Sequence, residues 1–186
     1  MMSKARSIAE FLAITPVPEL PPELPPVLLE RITAEVEPDE APFLTHLPSN
    51  LRLDWLEPAI DRLGSTNFEY TPNELHRRKR LRLPPGVVTI SLHPVLVDDE
   101  VLMLHTLVHE LLHAAGIIDH GSRHDEIVAR IAPAPKLSES PLLRYLQAGV
   151  IAASDELSWE CEDCNFVWTR DKVRKPLRCP SCARLL

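Results

Sequence analysis

The most regular hydrophobic pattern in the chain lies between Asp98 and Gly116, where Val101, Leu104, Val108, Leu111 and Leu112 recur at three- and four-residue spacing. That is the period of an α-helix with one apolar face. Asp98 or Asp99 can cap its start, Glu100 sits in its first turn, and Gly116 supplies a C-terminal stop. A second helix is predicted from Gly121–Arg123 to Ile131, where Pro133 and Pro135 break the chain, and a third over Pro141 to Ser154. Leu51–Trp55 alternates apolar and polar positions like a strand, and Glu57–Leu63 reads as helical, closed by Gly64-Ser65. Arg80–Leu83 and Val87–Leu92 flank Pro84-Pro85-Gly86, so the pattern predicts a β-hairpin there. Upstream, residues 4–14 have the pattern of a short helix. Pro16, Pro18, Pro21, Pro22, Pro25 and Pro26 then impose an extended spacer. A helix follows over Pro26 to Val36, ended by Pro38. No internal repeat is visible.

A chain of 186 residues with 45% hydrophobic composition can bury one real core and carry a small appendage. The expected organisation is a proline-rich arm over residues 1–40, a main domain over 41–155 and a C-terminal module over 156–186. No stretch approaches 18 consecutive apolar residues, and the N-terminus runs into Glu10 and prolines rather than a long apolar segment. A soluble, cytoplasmic protein is expected. The formal net charge of −7 argues against a dedicated nucleic-acid binder, so any such contact must come from local patches. Residues 159–186 hold six Arg/Lys against four Asp/Glu, and the first 158 hold 14 against 23.

Two motifs change the picture. All four cysteines fall in the last 26 residues as two pairs, Cys161-Glu162-Asp163-Cys164 and Cys179-Pro180-Ser181-Cys182, separated by fourteen residues. That spacing suits a structural four-cysteine zinc site in a reducing compartment better than a disulfide framework. A 28-residue segment cannot bury enough surface to fold unaided, so the metal must contribute its folding free energy. Arg170, Lys172, Arg174, Lys175 and Arg178 accompany Phe166 and Trp168 in it, a mixture that can hold a nucleic-acid backbone and stack bases.

The second motif is His109-Glu110-Leu111-Leu112-His113 on the strongest helix. His109 and His113 are one turn apart on one face and can reach one metal ion. Glu110, rotated by about 100°, can approach a metal-bound water as general base without becoming a ligand. A catalytic zinc needs a third protein ligand, and Asp119 and His120 are rivals just beyond Gly116. His105, a further turn upstream, belongs to packing or to the surroundings of the ligands, because a straight helix face does not bring three histidines onto one ion. Tyr70, Arg123, His124 and Tyr145 are candidates for oxyanion stabilisation by chemistry alone. The run His76-Arg77-Arg78-Lys79-Arg80-Leu81-Arg82 is the densest cluster of cations and reads as a charged strand edge or as a phosphate-contacting patch.

His109-Glu110-Leu111-Leu112-His113-Ala114, followed by His120-Gly121, resembles the active-site helix and downstream His-Gly ligand of the SprT-like metalloproteases, a family that often ends in a zinc ribbon. The likeness extends over roughly residues 50–186. It implies an α+β, zincin-like domain with a small antiparallel sheet and an active-site helix, plus a C-terminal zinc ribbon. It also implies one catalytic zinc on His109, His113 and His120, Glu110 as catalytic base, and one structural zinc on Cys161, Cys164, Cys179 and Cys182. The short link from His113 to His120, and His124 in a place the family usually fills with an aromatic residue, depart from the pattern. With Asp119 as third ligand, His-Glu-x-x-His-x-x-Gly-x-x-Asp resembles a minority zincin pattern. Gly116-Ile117-Ile118-Asp119-His120 also resembles the ending of the YbeY-type endoribonuclease motif, which lacks the glutamate. The SprT-like resemblance implies zinc-dependent endopeptidase action on DNA-associated or DNA-crosslinked protein, as in the Spartan proteases, with DNA reached through Arg77, Arg78, Lys79, Arg80 and the ribbon. By analogy with zincin folds, Val87–Leu92 is expected to receive substrate backbone by β-augmentation.

Overall fold

The computed structural model describes residues 12–186, so residues 4–11 of the helix expected over 4–14 lie outside it. The described chain divides by its contacts into two units, Leu12–Pro135 and Lys136–Leu186. This division falls ahead of the 155/156 boundary expected from composition, and it places residues 12–40 with the main domain rather than in a separate arm. Among the described residues the fold is α+β, with six α-helices and two small sheets. No helix among them is long and apolar enough to cross a membrane.

In the first unit, α1 (Leu28–Glu35) follows the proline-rich spacer, and α2 (Leu47–Asn50) leads into β1 (Leu51–Trp55). Then come β2 (Gly64–Phe68), α3 (Pro72–Leu81), β3 (Val88–Leu92), α4 (Glu100–Ala114) and α5 (Ser122–Ile131). The sheet order is β1-β3-β2. β1 runs parallel to β3, pairing Leu53 with Ile90, and β2 runs antiparallel to it, pairing Thr66 with Ile90. The sheet is therefore mixed, not antiparallel as expected. β3 is its central strand, with Val88, Ile90 and Leu92 fully buried; both its edges are occupied, so it cannot accept a substrate strand. The edge beside α4 belongs to β2.

Two sequence expectations are corrected here. Arg80–Leu83 is not the first strand of a hairpin: residues 72–81 form α3, capped by Thr71 and entered by Pro72, and Arg82 turns left-handed at φ 54° to end it. Its charges are spaced for helical pairing, with Glu74 Oε1 3.2 Å from Arg77 Nη1 and 3.0 Å from Arg78 Nε. Glu57–Leu63 is not a helix either. Its two ends are pinned to the end of β3, since Leu56 N donates to Leu92 O and His93 N to Leu63 O, both at 2.8 Å. A chain held at both ends across so short a span loops rather than coils.

The helix α4 forms as its pattern predicts. The Asp99 side chain accepts from Leu102 N at 3.0 Å at its start. At its end, Ile117 N donates to Leu112 O and Gly116 N to His113 O, with Gly116 at φ +103°. This paired closure needs a residue free to take positive φ. α4 packs on β2 and β3 on one side and on α5 on another, burying Leu107, Val108, Leu111 and Leu112. At about 1.5–3 kcal/mol for each such side chain, packing rather than helix propensity holds α4 in place. α5 is tied back to α1 by Arg31 Nη2, which donates to Ile131 O at 2.6 Å. Its first turn is tied to the segment after α1 by Arg123, which meets both carboxylate oxygens of Glu40 at 3.1 and 3.0 Å. The bond from Arg123, followed by that from the Glu37 backbone, holds the Glu40 carboxyl down at about 2.

The second unit contains α6 (Pro141–Ala152) and a two-stranded antiparallel sheet of β4 (Ser158–Glu160) and β5 (Val167–Thr169). Trp159 and Trp168 face each other across it, with ring centroids 6.1 Å apart.

Candidate metal centres

The C-terminal centre is built from two turns of the same shape. In the first, Asn165 N donates to Cys161 O and Asn165 sits at φ 55°; in the second, Ala183 N donates to Cys179 O and Ala183 sits at φ 58°. Each Cys-x-x-Cys pair thus closes on a left-handed residue four positions after its first cysteine. Cys161 Sγ lies 3.7 Å from Cys182 Sγ, and Cys164 Sγ lies 3.7 Å from Cys179 Sγ. These distances are far too long for a disulfide, whose S–S bond is about 2.0 Å. A tetrahedral ion with metal–sulfur bonds of about 2.3 Å sets its sulfurs about 3.8 Å apart. The four sulfurs fit that geometry and form a group that can hold a metal ion. Burial alone raises the Cys179 thiol, but N–H groups of Cys182 and Ser181 aimed at its sulfur bring it down to about 7. This favours the thiolate that a metal requires. Arg170 is consumed locally: it bonds the carbonyls of Lys172 and Val173.

The second centre lies on α4 and the loop after it. His109 Nε2 and His113 Nε2 are 3.1 Å apart, and His120 Nε2 is 3.1 Å from His113 Nε2 and 3.2 Å from His109 Nε2. A tetrahedral zinc with metal–nitrogen bonds of about 2.0–2.1 Å sets its nitrogens about 3.3–3.4 Å apart, close to this triangle. His113 Nδ1 lies 2.9 Å from Ile117 O. A carbonyl only accepts, so the proton is on Nδ1 and the Nε2 lone pair faces the other two rings. The turn that ends α4 thereby orients the His113 ring. Burial, then the neighbouring His113, His124, His120 and His105, holds His109 down at about 4. At neutral pH its ring carries no proton that a metal ion must displace.

Asp119, the rival third ligand, is exposed and accepts from Gly121 N through its main-chain carbonyl; the converging nitrogen is that of His120. His124 belongs to the same cluster, one of its ring nitrogens coming within 4.8 Å of a ring nitrogen of His109 and of His113. Of the two possible third members, His120 makes the tighter set. His124 is only 1% exposed, and its ring lies against those of His109 and His113 at 4.5 and 4.9 Å. Its ring is a buried member of the histidine cluster, too deep to face a substrate oxyanion. His105 is a packing residue, its Nδ1 donating to Ala132 O at 2.8 Å. Of the other oxyanion candidates, Arg123 is committed to Glu40, Tyr70 lies under the Arg78 guanidinium at 3.7 Å, and Tyr145 is on α6 in the second unit.

Glu110 is buried, and its carboxylate lies on β2. Thr66 Oγ1 donates to Glu110 Oε2 at 2.8 Å and also lies 3.0 Å from the Glu110 carbonyl oxygen. A Cβ added to Gly64 would stand 2.8 Å from both Glu110 Oε1 and Thr106 Cγ2. Thr66 and Gly64 are contacts of Glu110 that sequence reasoning missed, and a lone glycine beside polar residues was the available signal of a close approach. Gly64→Ala is expected to destabilise the protein by roughly 1–3 kcal/mol through overpacking, read as a lower urea midpoint with an unchanged slope. An unchanged midpoint would show that β2 and α4 can part freely.

Glu110, His113 and His120 open on a cavity of about 620 Å³, walled also by Phe43, Phe68, Leu75 and Ile118, with His76 and Lys79 on the α3 side. Of the basic run, Arg77 and Arg78 pair with Glu74, and Lys79 Nζ reaches Gly116 O at 3.3 Å. The cations therefore form part of the helix packing as well as a charged surface. Comparison with known proteins gave no match to a family model, to a curated protein or to a solved structure.

Proposed function

We propose that the chain is a zinc-dependent endopeptidase of the SprT-like kind, with a catalytic zinc on His109, His113 and His120 and a structural zinc on the four cysteines. The observation that carries this reading is the triangle of Nε2 atoms at 3.1–3.2 Å beside a buried glutamate. Neutral imidazoles gain nothing from crowding their lone pairs together; the arrangement makes sense around a cation. When bound there, zinc polarises a carbonyl and lowers the pKa of water. Glu110 takes the proton of the attacking water and later delivers it to the leaving amine. Thr66 holds the carboxylate in place for both transfers. The free edge of β2 beside α4 receives the substrate backbone by β-augmentation, the role assigned from sequence to β3.

Action on DNA-associated protein is the finer part of this reading. It rests on the exposed Lys172, Arg174 and Lys175 and the exposed Phe166 of the ribbon and on the α3 cations. A YbeY-like nuclease is the second reading, favoured by the all-histidine triangle and disfavoured by Glu110.

Elemental analysis of protein purified without chelators tests the proposal. Two zincs per chain are expected, falling to one in His113→Ala. One zinc in both proteins would confine metal to the ribbon and leave a binding module as the better account.

A further inference from the structure

The cavity beside the histidine triangle has a construction that selects among substrates. α3 presents Pro72, Leu75, His76 and Lys79 to it, the i, i+3, i+4, i+7 face of one helix, while Arg77 and Arg78 turn to Glu74. Phe43 and Phe68 also line it, their rings 6.2 Å apart and tilted by 58°. Ile118, 59% exposed, stands at the rim two residues before His120. The result is an apolar chamber of about 620 Å³ sharing His113, His120 and Glu110 with the metal centre. It lies within the size range of small-molecule sites, about 300–1,000 Å³, and has ample room for one large side chain.

From this we infer that the chain selects peptides carrying a large apolar side chain, phenylalanine, leucine or methionine, on one side of the bond to be cut. The inference rests on the metallopeptidase reading above and deepens it. Two features name the occupant. The chamber is continuous with the histidine triangle, so a side chain filling it belongs to a residue adjoining the reacting carbonyl. Phe43, Phe68, Leu75 and Ile118 supply apolar surface for it, and the charges in the lining, the ammonium of Lys79 held to Gly116 O and the carboxylates of Glu110 and Asp119, are of both signs. Selectivity then comes from the site itself and not only from where the protein is recruited.

The test uses the full-length zinc-loaded protein and two zinc-binding probes, acetohydroxamate and 3-phenylpropanohydroxamate, titrated by calorimetry. The phenyl arm is expected to tighten binding roughly tenfold or more, the gain for burying a ring of that size. The ratio of the two affinities is expected to collapse toward one in Ile118→Lys and in Leu75→Lys. Leu75 is buried, so the rim variant Ile118→Lys carries the test if Leu75→Lys fails to fold. Equal affinities in the wild type would overturn the inference and leave the metal centre standing. Failure of both probes to bind protein that holds two zincs would overturn the histidine-centre reading and the inference together. Cleavage of a mixed peptide library, enriched for large apolar residues at one position, is the matching result; a flat profile would overturn it.

Discussion

Glu110→Gln is expected to lower peptide hydrolysis by about 10²–10⁴-fold, the range of one general base, with two zincs still bound. The amide keeps the shape of the carboxylate, and its oxygen can still accept from Thr66 Oγ1, so β2 and α4 stay together. What is lost is the ability to take a proton from water. The experiment needs three readouts on the same preparation: zinc content, peptide hydrolysis and cleavage of single-stranded RNA. Loss of peptide hydrolysis alone fits the endopeptidase reading. Retained RNA cleavage with no peptidase activity in either protein would favour the nuclease reading, in which the glutamate has no part. Unchanged peptidase activity in the variant would remove Glu110 from the chemistry.

The second large effect is expected at the C-terminus. Exhaustive chelation, or Cys179→Ser, should unfold residues 158–186. Structural zinc sites supply about 10–16 kcal/mol of apparent binding free energy near neutral pH, and a segment this short has no comparable apolar core. Only Trp159 and the first cysteine of each pair are buried there. Amide spectra of that segment should collapse toward random-coil shifts while those of residues 28–131 persist, because the buried leucines of α4 do not depend on the ribbon. Persistence of Trp159 and Trp168 in native-like environments after chelation would show that β4 and β5 hold without metal.

The parts of the fold that were legible in the sequence are those where one physical rule acts alone. α4 has a capping aspartate, an apolar period and a terminal glycine; the ribbon has a cysteine spacing that few other structures use. His109, His113 and the four cysteines could be placed in groups on those grounds. The choice between Asp119 and His120 could not be read from the chain, because it depends on the turn after Gly116, which swings one side chain toward the helix and leaves its neighbour at the surface. β2 was invisible for a different reason: Gly64-Ser65-Thr66-Asn67 has a single branched residue, Thr66, and no apolar–polar alternation, and its place is set by Glu110 and Thr106 packing against Gly64. α3 was misread because charge, not hydrophobic period, holds it. Leu75 is its one buried side chain, and the prolines beyond it imitate a hairpin turn.

The composition that hid β2 also bears on self-association. A strand open along one side is a template for other copies of the same chain. Segments that stack into persistent fibres combine branched or aromatic residues with few glycines; Gly-Ser-Thr-Asn-Phe begins with a glycine and has only Thr66 and Phe68 of the first kind, with small polar residues between. On the proposed reading, such an edge takes a guest strand for the length of a binding event without inviting a permanent one.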